Sequence, residues 1–343
     1  AVFFFFFNDV LVKDTIGFRV VRTATEQSQG DVYSQGISLN GKIYDKTSEV
    51  VIVPAGTVAQ IDITDDSSWN TYYEGDDPNI KGVFLKGRNV KLSPFSMSQF
   101  EVTQELWFAI FGVNPSKFQG SENPPANGEI QNLRPVECIT WYDAVNFCNE
   151  LTKRTMGEEH CVYTITDASY PDGYIVSATV TLDLSKKGYR LPTEAEWEFA
   201  ARGGNPASDV WKYAYAGVQK KTDPFEIIDG NEATVDLILE NYSWELNNSA
   251  DNTHEVGKKL PNTLNIYDMV GNVKELCNDW FSENISLENV ENPIGADYGT
   301  VKIEKGGSYL STLWWCVISI RDETLPTTRE KDLGFRIVRT ITE

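Results

Sequence analysis

The chain has 343 residues, of which 41% are hydrophobic and 12% aromatic, enough apolar material for a large buried core. Its formal net charge of −20 argues against nucleic acid or an anionic membrane surface as a partner, because an acidic protein repels phosphate. No apolar run approaches the roughly 20 residues of a membrane-spanning helix, so no direct membrane insertion is predicted. The five cysteines lack C-x-x-C spacing, which predicts neither a zinc site nor a disulfide framework.

One 11-residue segment occurs twice in the chain. The sequence from Ile16 to Glu26, IGFRVVRTATE, returns as LGFRIVRTITE from Leu333 to Glu343, with eight identical positions. We interpret the first copy as a duplicated terminus within an N-terminal segment, residues 1–45. The second copy is predicted to supply the terminal strand of a domain spanning residues 46–343. A strand consensus shared by two unrelated positions is the alternative.

The middle of the chain alternates between strand and helix patterns. Val90 to Val102 alternates in part and predicts strand. Helices are predicted to begin after the potential caps Thr103 and Thr140, and after a capping box at Thr193 to Glu196. The Thr-rich and Val-rich segment from Tyr163 to Leu184 predicts a hairpin. A few helices among many short strands indicate an α+β fold.

Several charged residues lie within apolar segments. Arginines in such positions are predicted to pair with buried carboxylates; they are Arg190, Arg202, Arg336 and Arg339. Of the acidic residues in the third predicted helix, Glu196 is expected to serve the capping box, and Glu194 and Glu198 are expected to be solvated.

The segment from Lys305 to Arg339, called here the last stretch, has regular ends and irregular contents. It starts with the turn sequence Gly306-Gly307-Ser308-Tyr309, and Leu333 to Val338 alternates as a buried strand does. Between them the adjacent Trp314 and Trp315 would point to opposite faces of a strand, and charged residues surround a proline. This pattern is typical of a binding surface on a scaffold, but it also fits an ordinary surface loop between two strands.

A series of characteristic segments runs from about Val50 to the end of the chain. They are VPAGT at Val53, SPFSMSQFEVTQELW at Ser93, NPSKF at Asn114, RPVECITWYDAVNFCNEL at Arg134, GYRLPTEAEWEFAARGG at Gly188, NIYDMVGNVKELCNDW at Asn265, KGGSY at Lys305 and LGFR at Leu333. In these segments the chain resembles the formylglycine-generating-enzyme (sulfatase-modifying factor) family. The resemblance implies a C-type-lectin-like fold, α+β, with short mixed sheets and about three helices.

The enzymes of this family imply two cysteines after the Gly-Gly-Ser turn that bind copper as thiolates. Ser311 and Cys316 stand at those positions, and a hydroxyl is a poor replacement for a soft thiolate ligand of Cu(I). The iron-dependent branch needs several histidines, whereas this chain has only His160 and His254. We therefore expect no catalytic residues and no copper. A copper-dependent oxidase of the formylglycine-generating type remains the alternative.

The last stretch contains a spaced framework of Gly-Gly-Ser-aromatic, then Cys316, Arg321, Pro326 and Arg329, and finally Leu-Gly-Phe-Arg. In this framework it resembles the variable region of proteins diversified by a retroelement. The resemblance implies a variable region at about residues 306–336. Its implied ligand-binding positions are Leu310, Ser311, Thr312, Leu313, Trp314, Trp315, Val317, Ile320, Asp322, Glu323, Thr324, Leu325, Thr328, Glu330, Lys331 and Asp332.

Such a protein would be a non-enzymatic, receptor-like or adhesin-like surface protein. Its implied partner is a protein or glycan on another cell or host surface. The full-length protein is expected at the cell surface or outer membrane, held by a lipid anchor, and this chain is expected to be a soluble, monomeric form.

The resemblance to the enzymes also implies a calcium site at Asp268, Gly271, Val273 and Glu275. Side-chain oxygens of the two acidic residues and main-chain carbonyls of the other two would meet one ion, and calcium prefers such hard oxygen ligands. The alternative is that Glu275 is the ion-pair partner of a basic residue.

Overall fold

The computed structural model describes residues 82–85, 88–170, 175–218 and 239–341, and before them only short strands within residues 32–59. The first copy of the repeat and the tip of the predicted hairpin, residues 171–174, lie outside the described residues.

Three α-helices occur in the described part of the chain, and each begins after a threonine. They are α1 (Gln104–Phe111), α2 (Trp141–Thr155) and α3 (Glu194–Ala201). The side chains of Thr103, Thr140 and Thr193 accept a hydrogen bond from a backbone N–H of the first turn, and the last two form complete capping boxes. The three predicted helix starts are confirmed. None of the helices in these described ranges is long and apolar enough to cross a membrane.

The described strands are short and form mixed sheets. In chain order they are β1 (Val32–Tyr33), β2 (Ile37–Leu39), β3 (Lys42–Tyr44), β4 (Val50–Val53), β5 (Gly56–Ala59), β6 (Asn89–Leu92), β7 (Phe95–Ser98), β8 (Tyr163–Ser169), β9 (Ser177–Leu182), β10 (Tyr189–Arg190), β11 (Lys274–Trp280), β12 (Val290–Glu291), β13 (Lys302–Lys305), β14 (Asp322–Thr324), β15 (Leu333–Gly334) and β16 (Val338–Thr340). One sheet has the order β1-β4-β7-β16-β10, a second β14-β13-β11-β15, and a third β12-β6-β5. The pairs β11–β15 and β12–β6 are parallel, and the others are antiparallel. The predicted α+β architecture is confirmed.

The second copy of the repeat supplies strands to two sheets. Leu333–Gly334 pairs with β11, whereas Val338–Thr340 lies between β7 and β10. The prediction of one continuous strand is therefore wrong at the crossover. There Phe335 is fully buried, with its ring centroid 5.3 Å from that of Phe147.

All residues of helix α3 are buried, the glutamates as well as the apolar residues. Glu198 accepts hydrogen bonds from Arg202 Nε at 2.9 Å and from the backbone of Val83 at 3.0 Å. Glu194 is equally buried and pairs with Arg321. The prediction that Glu194 and Glu198 are solvated is wrong, because each carboxylate has an arginine that compensates its charge in the interior. The predicted pairing of Arg190 with a buried carboxylate is confirmed, since it contacts Glu196 at 2.6 Å.

Candidate functional site

The last stretch leaves β13 through a glycine turn that only glycine can form without strain. Gly306 and Gly307 have φ angles of 90° and 68°, in the left-handed region. A Cβ on Gly307 would lie 2.6 Å from Cys316 Sγ. The chain then forms a 3₁₀ turn at Leu313–Cys316, which holds the two adjacent tryptophans on a helical turn rather than on a strand.

Three arginines attach the last stretch to the scaffold beneath it. Arg321 pairs with Glu194 at the start of α3, with Nε 2.7 Å from Oε1. Arg329 Nη2 lies 2.6 Å from Asp143 Oδ2 in the first turn of α2. Arg336, at the crossover, donates to Glu275 of β11 and is described below. These contacts position the backbone without using the side chains that lie between the arginines.

Four of the predicted ligand-binding residues are buried: Leu313, Val317, Ile320 and Thr324. The first three belong to the hydrophobic core, because the 3₁₀ turn and the segment after it direct their side chains inward. Their burial leaves almost no side-chain surface for a ligand, so Leu313, Val317 and Ile320 are corrected to core residues and Thr324 to a buried residue of β14.

The other twelve predicted positions are at least partly exposed. They are Leu310, Ser311, Thr312, Trp314, Trp315, Asp322, Glu323, Leu325, Thr328, Glu330, Lys331 and Asp332. Trp315 and Leu325 expose 48% and 54% of their surface, whereas Trp314 is half-buried and packs against the core. Because exposed large apolar side chains are candidate contact points, Trp315 and Leu325 are the main apolar candidates on this surface.

A charged cleft lies beside Trp315. Lys274 Nζ approaches Glu304 Oε1 at 2.6 Å and Glu330 Oε2 at 2.8 Å. Burial opposes the charge on Lys274, but the neighbouring carboxylates, Glu304 first among them, raise its pKa above the ordinary value. The cleft encloses only about 10 Å³, room for about one water molecule. A ligand would therefore contact the surface rather than enter the cleft.

Residues of a second loop complete this surface, and sequence reasoning missed them. The backbone N–H of Leu246 donates to the carbonyl of Ser311 at 3.0 Å, and Ser249 Oγ donates to the carbonyl of Tyr309 at 2.8 Å. Leu246 is 41% exposed and adds apolar area next to the last stretch. We define the candidate binding surface, called the binding surface below, as the twelve at least partly exposed positions together with Leu246.

The residues at the family's copper positions do not fit a copper ion. Cys316 is fully buried, and burial raises the pKa of its thiol well above the ordinary value. Ser311 Oγ accepts a hydrogen bond from the backbone of Ser308 at 2.9 Å. One buried thiol and one hydrogen-bonded hydroxyl are not the pair of thiolates that Cu(I) requires.

The predicted calcium residues are close in space, but Glu275 is already engaged. Arg336 donates to both of its oxygens, at 2.6 and 2.5 Å, and Trp197 Nε1 donates at 2.7 Å. Asp268 Oδ2 accepts from the backbone of Gly257 at 2.7 Å. No group of three or more metal-ligating side chains suited to an ion occurs in the described residues. The geometry fits the alternative, an ion pair for Glu275, and calcium binding stays a prediction.

Comparison with known proteins agrees with this geometry. Residues 39–341 match the Sulfatase-modifying factor enzyme 1-like domain. The chain belongs to this family. The solved structure of Treponema denticola variable protein 1 superimposes with a TM-score of 0.68 and 29% identity, over 91% of this chain and 99% of that one. The C-type-lectin-like fold of the formylglycine-generating type and the resemblance to a variable protein, both predicted from the sequence, are confirmed.

Two curated relatives differ in what they are named for. The chaperone protein LppX of Paenibacillus barcinonensis is 34% identical over 262 residues, which cover 74% of this chain and 82% of the relative. The formylglycine-generating enzyme of Mus musculus is 26% identical over 241 residues, which cover 67% of this chain. The match spans only half of that enzyme's length.

Proposed function

We propose that this protein is a non-enzymatic ligand-binding protein, and that the binding surface engages a protein or glycan on another cell or host surface. One observation carries the proposal. The backbone of the last stretch is held by the Gly306-Gly307 turn and by the ion pairs of Arg321 and Arg329 with the scaffold, while twelve of the sixteen predicted side chains are at least partly exposed.

Because different residues anchor the backbone and form the exposed surface, the exposed side chains can be substituted without changing the fold. The anchoring side chains point into the scaffold, so substitution at Thr312, Glu323 or Lys331 removes no contact with the core. Trp315, Leu325 and Leu246 would supply most of the affinity, because large apolar side chains bury much area at low entropic cost. The similarity to a variable protein and to a chaperone supports binding rather than catalysis.

The ligand can be sought directly. The fluorescently labelled protein would be applied to a glycan microarray, and a panel of purified host and microbial surface proteins would be screened by biolayer interferometry. We expect saturable binding to one class of ligand. No saturable binding to either panel, combined with an enzymatic activity, would contradict the proposal.

The copper-dependent oxidase is the competing function, and a copper titration separates the two. We expect the wild type to show no tight stoichiometric Cu(I) binding and no oxygen uptake with a cysteine-containing peptide, because its second thiolate position is Ser311. The variant Ser311→Cys is the matched comparison, since it restores the second thiol. Tight Cu(I) binding or oxygen uptake by the wild type would favour the oxidase.

We further propose that the full-length protein is a monomer displayed at the cell surface by a lipid anchor. Display leaves the binding surface accessible to a partner on another cell. Protease treatment of intact cells should digest the protein, whereas a periplasmic control protein should remain intact. Protection of both proteins would contradict surface display.

A further inference from the structure

A cavity of about 520 Å³ lies apart from the binding surface. It is bounded by the start of α3, the end of β11 and the segment of residues 282–296. Its volume falls within the roughly 300–1,000 Å³ of sites that hold small molecules. Arg321 is the one residue of the last stretch that lines it, and no member of the binding surface does so.

The floor of the cavity contains four charged side chains that are almost fully buried. Arg88, Glu194, Asp279 and Arg321 are only 7%, 2%, 4% and 3% exposed. Glu194 gives both carboxylate oxygens to Arg321, and Arg321 Nη1 also donates to the carbonyl of Ser282 at 2.9 Å. The charges of Glu194 and Arg321 therefore compensate each other.

Arg88 has an unsatisfied donor in this floor. Its Nη1 donates to the carbonyl of Val83 at 2.9 Å, but its buried Nε–H has no acceptor among the described residues. Buried guanidinium N–H groups are nearly always hydrogen-bonded in folded proteins. This N–H is therefore a donor available to an acceptor that enters the cavity.

Asp279 presents a second donor rather than a negative charge. Its Oδ2 accepts from the backbone N–H of Glu194 at 3.0 Å. Burial, and then the charge of Glu194, raise the pKa of Asp279 to about 8, so the carboxyl group keeps its proton at neutral pH. With Asp279 neutral and Glu194 paired with Arg321, Arg88 is the cation of this floor for which no hydrogen bond to a carboxylate occurs among the described residues.

The remaining walls are largely apolar. The side chains that form them come mostly from the segment after β11 and from β12; they are Ile285, Val290, Pro293, Ile294 and Ala296. A ligand that fills the cavity must therefore combine an acceptor group with an apolar body.

We propose that this cavity is a second binding site, and that it binds a small organic acid with a single carboxylate on an apolar body. The carboxylate accepts hydrogen bonds from Arg88 and from the protonated Asp279, and the apolar body packs against the wall of Ile285 and Ile294. A carboxylate forms a charge-assisted hydrogen bond with a guanidinium, and as a monoanion it is buried at a lower cost than a phosphate dianion.

Titration calorimetry with hexanoate and benzoate tests the site. We expect saturable binding of at least one acid, and no binding of hexanamide or benzamide, which lack the charge. Arg88→Gln should weaken binding at least tenfold, whereas the matched control Lys153→Gln, an exposed residue on α2, should leave it unchanged. Asp279→Asn keeps a donor and should retain binding within about threefold.

A second variant, which blocks the cavity, keeps the test decisive if Arg88→Gln does not fold. Asn284 is an exposed residue at the rim of the cavity, and Asn284→Trp should abolish binding while the melting temperature is kept. Equal binding of acid and amide, preferential binding of inorganic phosphate, or an acid affinity unchanged in Asn284→Trp would overturn the proposal. So would the absence of saturable binding by both acids.

Discussion

Arg321 and Glu194 are joined by two hydrogen bonds, 2.7 Å from Nε to Oε1 and 3.0 Å from Nη2 to Oε2. Both side chains are buried, and 127 residues separate them along the chain. The pair connects the last stretch to the first residue of α3, so the backbone around the binding surface is positioned by a helix at the centre of the fold.

Breaking this pair should destabilise the protein strongly. Arg321→Met removes both arginine hydrogen bonds from the buried Glu194 carboxylate and leaves it only the more distant Lys305, whose Nζ is 3.9 Å from Oε1. The change should lower the free energy of unfolding by about 3–5 kcal/mol. Lys91→Met is the control: Lys91 forms an ion pair with Glu291 at 2.9 Å, but both side chains are more than half exposed. It should cost about 1 kcal/mol or less. Urea denaturation measures both, and a double variant that also carries Glu194→Met should recover most of the loss. Equal effects of Arg321→Met and Lys91→Met would contradict this account.

Phe335 should be a core residue although it lies in the last stretch. Its ring packs edge-on against those of Trp107 and Phe147, with centroids 6.2 and 5.3 Å away. Phe335→Ala should therefore cost roughly 3–5 kcal/mol of unfolding free energy. Leu325→Ala, at a mostly exposed position, should stay within about 0.5 kcal/mol. Chemical denaturation measures the free energy of unfolding of both variants. A similar decrease in both would contradict the assignment of Phe335 to the core and Leu325 to the surface.

Stability should depend on pH through Asp279. The charged groups around it are Glu194, Glu196 and Lys302, together with the two arginines of the cavity floor. Its pKa is raised from 3.8 to about 8 in the folded protein, so the stability it contributes is complete below 3.8 and is lost as the pH rises through about 8. The wild type should therefore lose up to about 1.4 kcal/mol per pH unit relative to Asp279→Asn across this window. Parallel urea titrations of the two proteins measure the difference, and a pH-independent difference would refute the raised pKa.

Structural features that depend on residues close together in the chain, such as helix caps, could be predicted from the sequence. Contacts between residues far apart in the chain could not. Thr140 and Thr193 cap their helices through hydrogen bonds to residues three positions later, so the pattern itself contains the interaction. The burial of Glu194 depends on Arg321, which no local pattern connects to it. Leu246 likewise joins the binding surface through a contact with Ser311 that has no signal in the sequence.

The family resemblance supplied the fold and the position of the binding surface, but not which side chains face outward. The 3₁₀ turn at Leu313–Cys316 turns Leu313 inward and leaves Trp315 exposed. The spacing of the framework residues does not determine in which direction the side chains on this turn point. Val317 and Ile320 were therefore predicted as ligand-binding residues although they belong to the core.

A melting experiment decides between calcium and the ion pair at Glu275. Arg336 occupies both oxygens of this carboxylate, and the ion pair alone predicts the same melting temperature in millimolar calcium and in chelator. A melting temperature that rises with calcium in the wild type, but not in Asp268→Asn, would instead establish the site predicted from the sequence.

The two adjacent tryptophans should have different roles. Trp314 packs against the core, so Trp314→Ala should lower the melting temperature. Trp315 is 48% exposed, and Trp315→Ala should leave the melting temperature nearly unchanged. Differential scanning fluorimetry of both variants tests this difference, which an equal loss in the two would contradict.

The most direct test of the central claim is the affinity of a double variant, Trp315→Ala with Leu325→Ala, for the ligand identified on the glycan or protein panel. The matched control is Tyr298→Ala, which removes an aromatic residue that is 87% exposed and lies outside the binding surface. We predict that the double variant binds at least tenfold more weakly than the wild type at an unchanged melting temperature, and that the control binds as the wild type does. Wild-type affinity in the double variant would contradict the claim that the last stretch forms the binding surface.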